Sequence, residues 1–111
     1  MTLRFGLTEK TINEICAVLA AHPEVDRAIL YGSRAKGTFK RGSDIDLTLV
    51  GESDLTLTVL FRIMEEIDDL LHPYMMDLSI FRHISDPDVR DHIQRVGVIF
   101  YAKDVPVLEP A

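Results

Sequence analysis

Residues 31 to 47 read YGSRAKGTFKRGSDIDL, and this stretch joins two predicted strands of a folded core. The apolar run Val25 to Tyr31 ends at Gly32, and a second apolar run, Ile45 to Val50, follows the polar part of the stretch. Short runs of this kind, bounded by glycine and polar residues, are typical of strands. The pattern therefore predicts a strand, a brief helical turn over residues 33–36, a polar loop and a second strand.

Helical periodicity and capping residues predict the other elements. We expect a helix from Thr8 to Ala21, a helix from an N-cap at Asp54 to Leu71, a strand from Met75 to Phe81, a helix from Asp86 to Gly97 and a last strand from Val98 to Tyr101. The second helix is expected to bury one stripe formed by Leu57, Leu60, Phe61, Met64, Ile67 and Leu71. The order α-β-turn-β-α-β-α-β indicates an α/β (α+β) domain in which helices cover a small mixed sheet.

The bulk composition is that of one folded domain. The chain has 111 residues, of which 47% are hydrophobic and 27% are charged. We expect a domain over residues 1–104 and a flexible tail over residues 105–111. No apolar run approaches the roughly 18 residues needed to span a bilayer, and no signal peptide is recognised. The lone Cys16 cannot form an internal disulfide, so a cytoplasmic location is expected.

The charge distribution favours a small anionic ligand over a long one. The formal net charge of −6 argues against stable binding of nucleic acid. Five basic residues nevertheless lie between Arg27 and Arg41, without an acid among them, directly before Asp44. Small polyphosphates therefore remain plausible ligands. The four histidines lack the spacing of metal ligands and are expected to be surface or capping residues.

Three carboxylates are candidates for a metal site. Asp44 and Asp46 are one residue apart at a strand start, so both side chains leave on one side, with α-carbons roughly 6.6 Å apart. Asp77 interrupts the apolar run Met75 to Ile80, where an unpaired acid is costly. If the two strands are neighbours, all three acids can reach Mg²⁺, which prefers oxygen ligands. The alternatives are a solvated turn for the pair and an exposed edge position for Asp77.

Gly32 and Ser33 are candidates for phosphate binding. Glycine permits close backbone approach, and the serine hydroxyl lies beside amides at a predicted helix start, where anions bind. Arg34 is a further candidate phosphate contact. A glycine-serine pair alone is also compatible with a plain turn. Its combination with the downstream acids favours phosphoryl or nucleotidyl transfer.

These residues resemble the DNA polymerase β-like nucleotidyltransferase superfamily. Its pattern is Gly-Ser, ten residues, Asp-x-Asp and a third acid on a later strand; here "GSRAKGTFKRGSDIDL" supplies the first parts and Asp77 the third acid. Within the superfamily the chain resembles the minimal nucleotidyltransferases, including its carboxy-terminal "DHIQRVGVIFYAKD". The resemblance implies the palm-like nucleotidyltransferase fold.

The resemblance also implies a mechanism. Gly32 and Ser33 would hold the β- and γ-phosphates of a nucleoside triphosphate, expected to be ATP, with Arg34 nearby. Asp44, Asp46 and Asp77 would be the catalytic and metal-binding residues for one or two Mg²⁺ ions, and Asp77 would help to deprotonate the attacking hydroxyl. No residue in the sequence identifies the base.

Minimal members are usually encoded beside a small helical HEPN-type protein. They act as antitoxins that add AMP to a tyrosine of that partner, or as one subunit of a paired nucleotidyltransferase. The resemblance therefore implies a HEPN-type partner, in a homo-oligomer or a hetero-oligomer, and no membrane association. One alternative is a non-catalytic subunit that neutralises the partner by contact alone. Another is adenylylation of a small molecule such as an aminoglycoside, which the short chain disfavours.

Overall fold

A computed structural model of the protein describes residues 3–40, 42–70 and 73–103. The predicted tail over residues 105–111 lies outside these ranges, as do Arg41 and Leu71. None of the helices within the described ranges combines the length and the apolar character needed to cross a bilayer.

The chain alternates strands and helices, as expected for an α/β protein. The elements are β1 (Leu3–Arg4), β2 (Leu7–Thr8), α1 (Glu9–Ala20), β3 (Arg27–Tyr31), α2 (Ser33–Lys36), β4 (Ile45–Val50), α3 (Leu57–Asp68), β5 (Met76–Ile80), a 3₁₀ turn (Phe81–His83), α4 (Pro87–Val96) and β6 (Val98–Ala102). The predicted fold class is confirmed: a four-stranded mixed sheet is accompanied by helices.

The main sheet has the strand order β5-β4-β3-β6. Strand β3 pairs antiparallel with both β4 and β6, whereas β4 and β5 are parallel. The register places Tyr31 opposite Asp46, and Asp46 opposite Asp77. Three adjacent strands therefore present these side chains at one level of the sheet.

One face of this sheet forms the core. Strand β4 buries Ile45, Leu47 and Leu49 completely. Buried residues of α1 and α3, such as Ile15 and Ile63, belong to the same apolar cluster. Because side chains alternate along a strand, Asp46 and Thr48 leave on the opposite face. The register then places Tyr31, Asp77 and Ser79 on that opposite face too.

Helix α3 differs from the prediction in its start and in its buried stripe. Its N-cap is Thr56, whose hydroxyl accepts a hydrogen bond from the Val59 amide, and not Asp54. The predicted burial of Leu57 and Phe61 is wrong: they are 51% and 57% exposed. The buried stripe consists of Leu60, Ile63 and Ile67. These three residues are three or four positions apart and share one face of the helix, whereas Leu57 and Phe61 lie to one side of that face, in solvent.

The amino-terminal hairpin was not predicted. Strands β1 and β2 pair antiparallel through a turn in which Phe5 and Gly6 both have positive φ. The hairpin lies against the rest of the molecule, because the ring of Phe5 is 6.3 Å from that of Phe100. Two-residue strands are too short to show an alternating pattern in the sequence.

Candidate active site

The Gly32–Ser33 turn lies at the end of β3. Gly32 has φ +77° and ψ −155°, a conformation that is essentially restricted to glycine. It is the N-cap of the single-turn helix α2, which Gly37 ends in the left-handed conformation. The amides of a first helical turn lack intrahelical acceptors. The predicted helical turn over residues 33–36 is confirmed.

Gly32 lies directly against the Asp46 carboxylate. A Cβ atom built at Gly32 would overlap the Asp46 Oδ2 atom. Two features therefore restrict this position to glycine: its positive φ and the close approach of the Asp46 carboxylate. The turn and the acidic strand are in contact, although residues 33–45 separate Gly32 from Asp46 along the chain.

The three predicted acids lie at the same end of β4 and β5. Asp46 and Asp77 are register partners on parallel strands, and neighbouring strands are about 4.8 Å apart. Asp44 directly precedes β4, and both Asp44 and Asp77 are exposed. The main-chain bond from the Ile45 amide to the Met75 carbonyl, 2.9 Å long, fixes the two strands at this end. The condition set by the sequence, that the two strands be neighbours, is met.

The electrostatics of Asp46 reflect this arrangement. Burial raises the pKa of Asp46 above its ordinary value, and the charges of Asp77 and then Asp44 raise that pKa further, while Arg34 lowers it. Like charges disfavour ionisation of a carboxyl group, so the site concentrates negative charge. A bound cation would relieve this repulsion.

A cluster of hydroxyl groups lies beside the acids. Tyr31 hydrogen-bonds to Ser79, and the Ser79 hydroxyl donates to Thr48 Oγ1 at 2.9 Å. Burial and then the negative charge of Asp77 raise the pKa of Tyr31 above its ordinary value, against the opposing effect of the Ser79 hydrogen bond. The phenol therefore stays protonated at neutral pH and acts as a hydrogen-bonding group. No pattern in the sequence indicated these three residues.

The predicted phosphate-binding residues differ in accessibility. Gly32 and Ser33 are half-buried, next to Asp46. Arg34 is only 3% exposed, and its guanidinium group donates to the backbone carbonyls of Phe5 and Ser43. Its role as a phosphate contact stays a prediction. Lys36 and Lys40 are exposed.

The carboxylates of Asp44, Asp46 and Asp77 are the type of ligand that suits a hard divalent cation. Carboxylate oxygens are the ligands that Mg²⁺ prefers, and the mutual repulsion at Asp46 is the condition that a cation neutralises. Within residues 3–40, 42–70 and 73–103, no three potential ligands are close enough as they stand to enclose an ion. Asp44 and Asp77, being exposed, are able to turn toward Asp46.

A separate groove of about 500 Å³ lies along α3, away from the acids. It is lined by Thr58, Phe61, Arg62, Met64, Glu65 and Asp68. None of the three aspartates contributes to it. We therefore assign the chemistry to the end of the sheet that carries Asp46 and Asp77 and not to this groove.

Comparisons with known proteins agree with this geometry. Residues 13–105 match the family model described as "Polymerase beta, Nucleotidyltransferase". The chain is 32% identical over 80 residues to the "Probable protein adenylyltransferase MntA" of Haemophilus influenzae, covering 72% of this chain and 69% of that protein.

Two solved structures show the same fold. A chain of a toxin-antitoxin complex with AMP-PNP superposes with a TM-score of 0.68 at 21% identity, covering 84% of this chain and 74% of that chain. A chain from the complex of tri-AMPylated Shewanella oneidensis HEPN toxin with MNT antitoxin gives a TM-score of 0.63 at 17% identity, covering 85% and 71%.

The family match includes every residue of the site, from the glycine turn through the three acids. The resemblance to polymerase β-like enzymes, first indicated by the spacing of Gly32-Ser33 and Asp44-x-Asp46, is thereby confirmed. This protein belongs to the Polymerase beta nucleotidyltransferase family and is a nucleotidyltransferase.

Proposed function

We propose that this protein transfers AMP from ATP, with Mg²⁺, to a tyrosine hydroxyl of a HEPN-type partner protein. The observation that supports the proposal best is the contact between Gly32 and Asp46, with Asp77 in register beside it. Phosphate groups held at the turn would lie next to the carboxylates. Nucleotidyl transfer depends mainly on such positioning and on neutralisation of charge.

Each residue of the site has its own role in the proposed reaction. Gly32 and Ser33 bind the triphosphate through the amides of the turn. Asp44, Asp46 and Asp77 would hold Mg²⁺, which supplies neutralisation of the phosphate charge when bound. Asp77, exposed on β5, accepts the proton of the acceptor hydroxyl. The acceptor oxygen then bonds to the α-phosphorus, and the bond to the leaving pyrophosphate breaks.

A protein acceptor is supported by the relatives and by the surface. The relative from Haemophilus influenzae is named as a protein adenylyltransferase, and a structural neighbour is bound to a tri-AMPylated HEPN toxin. On α3, Leu57 and Phe61 expose apolar side chains beside the groove described above. Exposed apolar patches are typical of surfaces that partners cover. We assign this surface to the HEPN-type partner.

The test is transfer of label from α-³²P-ATP in the presence of Mg²⁺ and a HEPN-type protein encoded beside this gene. We expect the partner to be labelled on tyrosine and pyrophosphate to be released. ATP labelled in the γ-phosphate should leave the partner unlabelled, which distinguishes adenylylation from phosphorylation. Asp46→Asn should reduce the rate by about 1,000-fold, the size of a lost electrostatic contribution.

Two results would contradict the proposal. The first is absence of transfer from every nucleoside triphosphate to a folded partner that binds the chain. The second is an Asp46→Asn variant that neutralises the partner as well as the wild type does. That second result would instead support the alternative of a non-catalytic subunit that acts by contact.

A further inference from the structure

Arg34 connects the glycine turn to the segments that lead into both acidic strands. It lies on α2, two residues after Gly32, and only 3% of it is exposed. Lys36 on the same short helix is exposed, so burial is specific to Arg34 and not a property of the helix. A buried guanidinium group needs acceptors for its N–H donors. Its hydrogen-bond partners therefore show which segments of the chain it fixes in position.

The first segment that Arg34 holds leads into β4. Its Nε and Nη2 atoms donate to the Ser43 carbonyl at 3.1 and 2.8 Å. Ser43 directly precedes Asp44. The planar fork of two donors fixes the direction of that carbonyl as well as its distance.

The second segment leads into β5. The Arg34 guanidinium carbon is 4.9 Å from the centre of the Tyr74 ring and 5.3 Å from that of Phe39. Tyr74 is three residues before Asp77. A guanidinium group over an aromatic face is attracted to it and packs against it. The remaining Nη1 atom donates to the Phe5 carbonyl at 2.7 Å.

We propose that Arg34 is a positioning residue, which sets the distance between the phosphate-binding turn and the carboxylates of Asp44 and Asp77 and does not itself contact phosphate. The proposal deepens the function proposed above and rests on it. Its basis is that one side chain contacts the approaches to both acidic strands while its own backbone belongs to the turn. Its Nε, Nη1 and Nη2 atoms all donate to backbone carbonyls.

Arg90 provides a matched control. Its guanidinium carbon is 4.3 Å from the centre of the Phe81 ring, and Nη1 donates to the carbonyls of Phe81 and Ile84 at 3.1 and 3.0 Å. It therefore makes the same kinds of contact as Arg34. Its partners follow the carboxy-terminal end of β5, whereas Asp77 is near the amino-terminal end of that strand. Loss of these guanidinium contacts at Arg90 should affect stability alone.

The experiment compares Arg34→Lys with Arg90→Lys in the full chain. Lysine keeps the charge but lacks the planar fork. We expect Arg34→Lys to lower kcat for AMP transfer by about 100-fold, as a misplacement of roughly 1 Å can do, with KM for ATP changed by less than about 3-fold. Arg90→Lys should leave both constants within about 2-fold, although both variants lose thermal stability.

Two kinetic outcomes would overturn the proposal. If Arg34→Lys raises KM for ATP strongly and leaves kcat unchanged, Arg34 binds the nucleotide directly. If the two variants change kcat equally, the role of Arg34 is only structural. Should Arg34→Lys fail to fold, Phe39→Leu weakens the same contacts from the other side and is expected to lower kcat without raising KM.

Hydrogen exchange gives a readout that does not require transfer. Relative to Arg90→Lys, Arg34→Lys should speed amide exchange in both residues 42–46 and residues 74–77. Unchanged exchange in these two segments would contradict the positioning role even if the wild-type enzyme proved inactive. Faster exchange with an inactive wild type would support the positioning role and would refute only the proposed transfer reaction.

Discussion

Gly32 is a position at which a single methyl group would disturb both parts of the site. Its φ of +77° with ψ of −155° strains any other residue, and a Cβ atom there would overlap Asp46. Gly37 provides a contrast, because it also has a positive φ of 79°, but a Cβ atom there would meet nothing within 4 Å among the described residues beyond its chain neighbours. A comparison of substitutions at Gly32 and Gly37 therefore separates the effect of backbone strain from the effect of contact with Asp46.

We therefore expect Gly32→Ala to cost about 1–3 kcal/mol in free energy of unfolding and to displace the Asp46 carboxylate. The displacement should lower AMP transfer by about 100-fold. Gly37→Ala should cost about 1–2 kcal/mol and retain transfer. Urea unfolding and the transfer assay measure both effects. Equal activity of the two variants would show that the contact between Gly32 and Asp46 is irrelevant.

Asp46 should lower stability while it supports activity. Its pKa is raised in the folded protein, so the ionised form is disfavoured there relative to the unfolded chain. The contribution of Asp46 to the free energy of unfolding is therefore fully present at a pH below its unfolded pKa near 3.8. This contribution is lost as the pH rises through the folded pKa. Asp46→Asn removes the ionisable group and therefore abolishes this pH-dependent loss of stability.

At about pH 8 we expect Asp46→Asn to raise the free energy of unfolding by roughly 0.5–1 kcal/mol, the size of a partly screened pair of like charges. At about pH 3 the difference should vanish, because Asp46 is then largely protonated in both the folded and the unfolded wild type. Denaturant unfolding at the two pH values measures this. A loss of stability at pH 8 would mean that the Asp46 carboxylate is stabilised by contacts that outweigh the repulsion.

Sequence spacing identified the acids and the glycine turn, but not the side chains that tertiary contacts define. The pattern Gly-Ser, ten residues, Asp-x-Asp is local in sequence, and so it can be recognised without a structure. His22 was expected to be a surface or capping residue, yet it is only 9% exposed, and its Nε2 atom lies 3.0 Å from Glu66 Oε1. Glu66 is 44 residues away, so no local pattern indicated the pair.

Helix α3 shows that an apolar pattern of helical period does not by itself decide which side chains are buried. The sequence predicted an N-cap at Asp54, whereas the N-cap in the structure is Thr56. Each residue of an α-helix turns about 100°, so the apolar residues of α3 spread around its surface, and the packing partner decides which of them are buried. The apolar residues of α3 occupy more than one stripe, and the sequence alone did not distinguish them.

The two faces of α3 should respond differently to truncation. Ile63 is fully buried, and Ile63→Ala is expected to cost about 2–5 kcal/mol. Phe61 is 57% exposed, and Phe61→Ala should change stability by less than about 0.5 kcal/mol. Denaturant unfolding of the isolated chain compares them. A large loss for Phe61→Ala would indicate that this surface packs against the chain itself.

The strand order brings the site together across the fold. Asp77 lies beside Asp46 only because β5 adds to the sheet in parallel beside β4, after the chain has crossed over through α3. The sequence alone did not predict that β4 and β5 are neighbours, since several strand orders suit the same succession of elements. The short amino-terminal hairpin was missed entirely, although Phe5 supplies an acceptor to Arg34.

Binding of Mn²⁺ in place of Mg²⁺, with a non-hydrolysable ATP analogue and followed by NMR, locates the cation on the molecule. We expect Mn²⁺ to broaden the amide signals of Gly32, Asp46 and Asp77 first, because in the proposed reaction the cation and the phosphates would meet at this end of the sheet. Excess Mg²⁺ should restore the signals, and Asp46→Asn should abolish the effect. Broadening confined to the acidic residues of the α3 groove, Glu65 and Asp68, would contradict the assignment of the active site.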